Sequence, residues 1–427
     1  MAERHLLSSR TDFRLLKSVI WFIELKMAKL LRSADKKGFV VLKDTLKMGE
    51  DFMTTRKRDA NFEILRVIAI LMVLTLHYLS HTDLLLKTGE KATNLQLVGQ
   101  FIESFCIVAV NVWVLISGYF LSKSDFKLTR ILQLIAEVYF YTLLVTFAMQ
   151  VVNTANVART DRIFKTTQFL FPISSEHYSF ATAYILLYVI APILNKGVLY
   201  LTRKQLKASI IGLLIMFCFI KSIIPVNFPT DMMGYNLDWY ICLYLIAAYI
   251  RKYNVRIVNS PKTSVLLYVG ASVLSFAVAV FFHELNYKTG RFIYYSGVTF
   301  HYNFILCLIG ALGLFSTFRY IKVKEGYVAK FARLLAPFSF GIYLLHEHLE
   351  IRDRWVEWMK GIYGNVPATI PGMAGHLISC ILTLFVSCVF VDWIRSVIFE
   401  FVERVCANTK FWKKLMDIDK ELKADEK

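Results

Sequence analysis

The chain has 427 residues, of which 56% are hydrophobic and only 19% charged, with a mean hydropathy of +0.49. These values exclude a disordered or fibrous chain and disfavour a soluble enzyme, which carries nearer a quarter charged residues. The formal charge of +18, from 50 Lys+Arg against 32 Asp+Glu, would suggest nucleic-acid binding in a soluble chain. Here the apolar residues fall in blocks of about twenty, the length that crosses about 30 Å of hydrocarbon. The surplus therefore reads as loop charge in contact with anionic membrane lipids, with no nucleic-acid partner.

Residues 1–57 form a basic N-terminal extension. The stretch Leu15 to Arg32 is interrupted by Lys17, Glu24 and Lys26 and has the pattern of an amphipathic helix lying on a membrane. A second reading stays open. Met53 precedes Thr54-Thr55-Arg56-Lys57-Arg58, a basic flank for a first span, so residues 1–52 would come from an upstream start codon.

Ten spans follow, near 62–80, 97–121, 128–152, 180–200, 208–226, 236–251, 264–283, 300–318, 332–350 and 375–400. The expected fold is an all-α, polytopic transmembrane helical bundle. Pro337 makes the ninth span the least regular. Loops 121–130, 195–207, 251–263 and 319–333 carry three, four, four and five Lys/Arg, and the tail after 400 carries seven. The alternate loops carry two, three, none, two and three, and several are longer. Both termini are thus expected in the cytoplasm. Residues 58–400 read as one membrane domain and 401–427 as a charged cytoplasmic tail. Seven cysteines without a CxxC, all but Cys406 in apolar runs, read as small buried hydrophobes.

Ionisable groups on spanning helices are costly and point to function. Span 1 reads Asn61-Phe-Glu63-Ile-Leu-Arg66, then ten residues, then His77. The spacing of eleven puts Arg66 and His77 on one helix face, about 16 Å apart along the axis. Glu63 lies one turn before Arg66 and can pair with it. Taken alone, Arg66 can simply snorkel to the interface and His77 can be a structural histidine. Span 2 holds Trp113, Ser117, Gly118 and Tyr119, where small residues also suit helix packing. Glu137 in span 3 needs a cation, with Arg130 or Arg66 as candidates. Span 9 carries Tyr343, His346, Glu347 and His348. Positions i and i+2 do not face one another on a helix, so no metal site is expected there. Other polar groups toward the outer side are His177, Asp238 and the His301/Asn303 pair. Trp239, Trp355 and Trp358 read as interfacial belt residues.

These residues resemble the acyltransferase family 3 integral membrane proteins. Glu63-x-Leu-Arg66, ten residues and His77 resemble that family's first-helix pattern. Ile116-Ser117-Gly118-Tyr119-Phe120 is similar to its Ser-Gly-aromatic motif. Tyr184-Ile-Leu-Leu-Tyr188-Val-Ile-Ala-Pro192, Asp238-Trp239-Tyr240 with Tyr244 and Tyr249, and Phe340-Gly341-Ile-Tyr343-Leu-Leu-His346 resemble later landmarks in the same order, over about 58–400. Glu63 stands where many members have Asp. His177-Tyr-Ser-Phe180 stands where a Trp-containing segment is expected, which puts that part of an acceptor site in doubt.

The resemblance implies O-acyl transfer, commonly of acetyl, from cytoplasmic acyl-CoA to a hydroxyl of a cell-surface polysaccharide or its lipid-linked glycan precursor. It places the protein in the cell (inner, cytoplasmic) membrane. Acetyl-CoA would be a donor substrate, with no tightly bound cofactor. His77 is then expected to be the general base, or to carry the acyl group itself; the sequence leaves both open. Arg66, held by Glu63, would contact donor phosphates or the polarised carbonyl. Ser117, Gly118 and Arg130 would complete the donor side. His346 and Tyr343 would orient His77 or the acceptor. The alternative is a transporter or flippase for a lipid-linked sugar or acyl group, because ten spans with central charges fit that class too; a glycan polymerase is a weaker third reading.

Overall fold

The structure is a computed structural model that describes residues 59–151, 168–175, 177–226, 230, 232–258 and 260–424. The surface helix expected at Leu15 to Arg32, and the choice of start, lie outside these residues. Among the described residues every regular element is a helix. Nine helical runs are long and apolar enough to cross a membrane.

In chain order, α1 is Ala60–His81, α2 Asn94–Cys106, α3 Ala109–Leu121, α4 Leu128–Val151 and α5 Ser179–Tyr200. Next come α6, Arg203–Ile223 with a π-helical stretch at Ile215–Phe219, α7, Leu237–Tyr253, and α8, Pro261–Thr289. They are followed by α9, Ile305–Tyr320, α10, Tyr327–Leu335, and α11, Ser339–His346. The last three are α12, Trp355–Tyr363, α13, Ile370–Cys406, and α14, Lys410–Ala424.

The sequence encodes several helix starts locally. Thr93 with Gln96, Thr202 with Gln205 and Ser260 with Thr263 each form a reciprocal capping box, opening α2, α6 and α8. Pro261 and Pro371 sit in first turns, where a missing N–H costs nothing. Pro337 has the opposite effect. It breaks the ninth run into α10 and α11 through a 3₁₀ turn at Ala336–Phe338.

The expected tenth span is α7. At 17 residues it is shorter than the nine and is not one of them, with Asp238 in its first turn and Arg251 and Lys252 in its last. It is shielded by other helices, with Leu243, Tyr244 and Ala247 wholly buried. Gly118 permits this, because a Cβ there would lie 2.9 Å from Tyr244 Cα and 3.1 Å from Ala247 Cβ. The backbones of α3 and α7 thus approach closely, as small residues allow in membranes. By contrast α6 and α8 turn Ile211, Met216, Phe219, Leu266, Leu274 and Phe281 outward. Such an array is a liability in water and the natural perimeter of a bundle in hydrocarbon.

Two tryptophans read as belt residues lie in the core instead. Trp239 and Trp355 are 1% and 0% exposed. Trp239 Nε1 donates to Asn111 Oδ1 at 2.9 Å, and Asn111 Nδ2 donates to Tyr302 O at 2.7 Å. A buried indole with its N–H satisfied needs no interface.

The tail 401–427 is partly the end of α13 and partly α14. Asp419 on α14 accepts from the Leu128 N–H at 2.6 Å and binds the Thr129 backbone and hydroxyl. It thereby caps α4 from another element and places a carboxylate at a helix N-terminus. Lys423 pairs with Asp125 at 2.8 Å. The start of α1 packs beside the end of α3, with Phe62 and Phe120 ring centroids 5.1 Å apart. The first and last described segments therefore meet one end of the bundle.

Candidate active site

Two polar clusters lie on α1, one at each end. At the first, Arg66 forms an ion pair with the buried Glu63, as the one-turn spacing requires. The guanidinium also lies 5.7 Å from the Phe120 ring centroid. Ser117, one turn before Phe120, donates its hydroxyl to Tyr184 Oη at 3.3 Å. Arg130 stands apart, exposed on the first turn of α4 with its guanidinium on Gln133. Gly118 faces α7 rather than an opening, so its contribution is helix approach.

The second cluster is at His77. Its Nδ1 lies 2.7 Å from Glu347 Oε1, and its side chain is 29% exposed. Glu347 follows the last residue of α11, with backbone angles φ −91° and ψ 2°. That turn takes its carboxylate off the helix face and toward α1. Burial raises the Glu347 carboxyl, but the nearby His77, His346 and Arg352 together outweigh burial and hold it at about 2. Glu347 is therefore an ionised acceptor at neutral pH. With Nδ1 turned to this carboxylate, Nε2 is the ring nitrogen left to act as a base.

His346 completes the cluster. Its ring meets His77 edge-on, with centroids 5.2 Å apart. Its Nδ1 donates to Ile342 O at 2.7 Å, which fixes the tautomer. The wholly buried Nε2 has no hydrogen-bond partner among the described residues and lies 3.9 Å from Glu347 Oε1. His77, His346 and Glu347 together offer three ligand atoms within 4.8 Å, a spacing that could hold a metal ion. The expectation of no metal weighed only neighbours on one helix; the third group comes from α1.

Between the two ends lie aromatic rings. Tyr184 stacks on Phe180 at 5.9 Å, Phe180 meets Tyr343 at 5.1 Å, and Tyr343 meets His346 at 6.1 Å. His77 is fixed along the chain by its neighbour. Tyr78 Oη donates to His376 Nδ1 at 2.6 Å, and His376 Nε2 donates to Gly364 O at 3.0 Å, tying α1 to α13.

The approach of α11 has its own support. A Cβ on Gly341 would fall on the Asp392 carboxylate. Asp392 is wholly buried, accepts from Tyr141 Oη and pairs with Arg395 at 2.6 Å. Arg395 also pairs with Glu137 at 3.3 Å. The cation expected for Glu137 at Arg130 or Arg66 is thus Arg395. One turn of α13 presents both Asp392 and Arg395 to α4, a juxtaposition that α4's own sequence cannot reveal.

All-helical architecture and apolar crossing runs define a polytopic membrane bundle. A family model described as Acyltransferase domain matches residues 59–392 of the 427, and the chain belongs to that family, acyltransferase family 3. No curated protein and no solved structure matched. The protein is a multi-pass membrane acyltransferase.

Proposed function

We propose that the protein moves an acyl group, expected to be acetyl, from acyl-CoA to a hydroxyl of a cell-surface polysaccharide or its lipid-linked precursor. The site would work in the cytoplasmic membrane with the Arg66 end facing the cytoplasm. The observation that carries this reading is His77 Nδ1 at 2.7 Å from Glu347 Oε1 on the helix that bears Arg66 at its other end. A carboxylate-held imidazole is a general base, and such catalysis is worth about 10²–10⁴ in rate.

In this scheme Arg66, held by Glu63, binds donor phosphates, and the thioester reaches past Tyr184 and Tyr343 toward His77. His77 Nε2 takes the proton of the acceptor hydroxyl as its oxygen forms the new C–O bond to the thioester carbonyl. The C–S bond then breaks, and the imidazolium returns the proton to the departing thiolate, giving the ester and free CoA. His346, beside His77, positions the ring or the acceptor.

Family membership favours this over a carrier. The test is purified protein incubated with acetyl-CoA and extracted surface glycan. Thiol release that depends on glycan, with an added acetyl mass on the glycan, supports transfer. Glycan movement across vesicles without CoA consumption would favour the transporter reading.

A further inference from the structure

At the Arg66 end, arginines from two other helices lie by the rings of Tyr119 and Phe120. Arg251, in the last turn of α7, sits 4.4 Å from the Tyr119 centroid and 5.9 Å from that of Phe120. Arg319, at the end of α9, lies 5.8 Å from Tyr119. Phe120 therefore has Arg66 and Arg251 at similar distances.

The three guanidinium groups differ in what neutralises them. Arg66 has Glu63. Arg319 is spent on α7, donating to Val255 O at 2.6 Å and Asn254 Oδ1 at 2.5 Å. Arg251 has neither a carboxylate nor a hydrogen-bond acceptor among the described residues, and its Nε is buried without a partner. A ring face attracts a cation but supplies no negative charge and no acceptor for its N–H groups. A partly buried arginine without a counter-ion, beside two further arginines, is electrostatically incomplete.

We propose that Arg251 and Arg66 form a two-guanidinium site for a phosphate-bearing anion, with Tyr119 and Phe120 as its aromatic base. The guanidinium fork matches phosphate oxygens, and two forks suit a diphosphate better than a single carboxylate. Resting on the donor reading above, the anion is the nucleotide phosphate portion of acyl-CoA. Arg251 is then the residue that selects CoA over a thioester lacking those phosphates.

The experiment uses full-length protein in nanodiscs of zwitterionic lipid, with calorimetric titration of CoA, pantetheine and inorganic pyrophosphate. Arg251→Gln is expected to weaken CoA binding by about tenfold or more, the scale of a lost charge-assisted pair. Pantetheine binding stays unchanged, and Arg251→Lys falls in between. Pyrophosphate competing with CoA on the wild type supports the site even if Arg251→Gln does not fold. Equal CoA affinity in wild type, Arg251→Gln and Arg251→Lys overturns the inference and leaves the donor reading standing. Wild type that binds no CoA sinks the donor reading; the anion site then survives only if Arg251→Gln loses pyrophosphate. A deficit in Arg251→Gln that appears only in phosphatidylglycerol nanodiscs would make the anion a lipid headgroup and overturn the nucleotide assignment.

Discussion

His77 and Glu347 meet at 2.7 Å, one from the first helix and the other from the turn that ends α11. The carboxylate faces Nδ1 of the imidazole and favours a proton there. Glu347→Gln keeps the size but removes the charge and presents an N–H where an acceptor is needed. It should lower kcat by about 10²-fold or more, with a much smaller change in donor KM. Steady-state kinetics on purified protein check this. A wild-type-like kcat with a raised KM would make Glu347 a binding group instead.

Gly341 leaves room for Asp392, so Gly341→Ala should force α11 off α13. Overpacking of this kind costs about 1–3 kcal/mol. Activity should fall with stability, because α11 carries Tyr343 and His346. Thermal unfolding in detergent, measured beside turnover, reads both.

Arg395 balances Asp392 and Glu137 inside the bundle. Arg395→Gln leaves both carboxylates without their cation, a change worth about 3–5 kcal/mol in buried pairs. Adding Glu137→Gln should recover part of the loss. Absence of any recovery in the double variant would show that the two groups do not couple.

His177 and His348 flank the site outside the spans, with ring centroids 4.8 Å apart. Burial depresses both imidazoles, to about 4 and about 3, below the ordinary 6.5. Each is neutral when folded and takes a proton more readily when unfolded. Their contribution to stability is complete above 6.5 and is lost as pH falls below it toward 4. The unfolding midpoint should drop between about pH 6.5 and pH 4, and His177→Phe should flatten that drop. An unchanged slope in the variant would remove His177 from the account.

The sequence made legible whatever one helix carries by itself. Glu63, Arg66 and His77 share a face of α1, so their spacing alone placed them, and Pro337 marked the break before α11. Three features depend on elements far apart in the chain. Helical spacing turns Glu347 away from its neighbours, yet α11 ends at His346 and the following turn sends the carboxylate to α1. Asp392 and Arg395 gain their partners only where α4 supplies Glu137 and Tyr141. Arg251 counted only as loop charge, because its lack of a counter-ion is visible only once its neighbours are in place. Trp239 went to the interface for a related reason: Asn111, its partner, comes from α3.

The most direct measurement is acceptor-dependent thiol release from acetyl-CoA by His77→Ala beside wild type, with both shown to be in the membrane and to unfold at the same temperature. The account predicts a rate reduced by about 10²-fold or more. Turnover equal to wild type in the folded variant would contradict it.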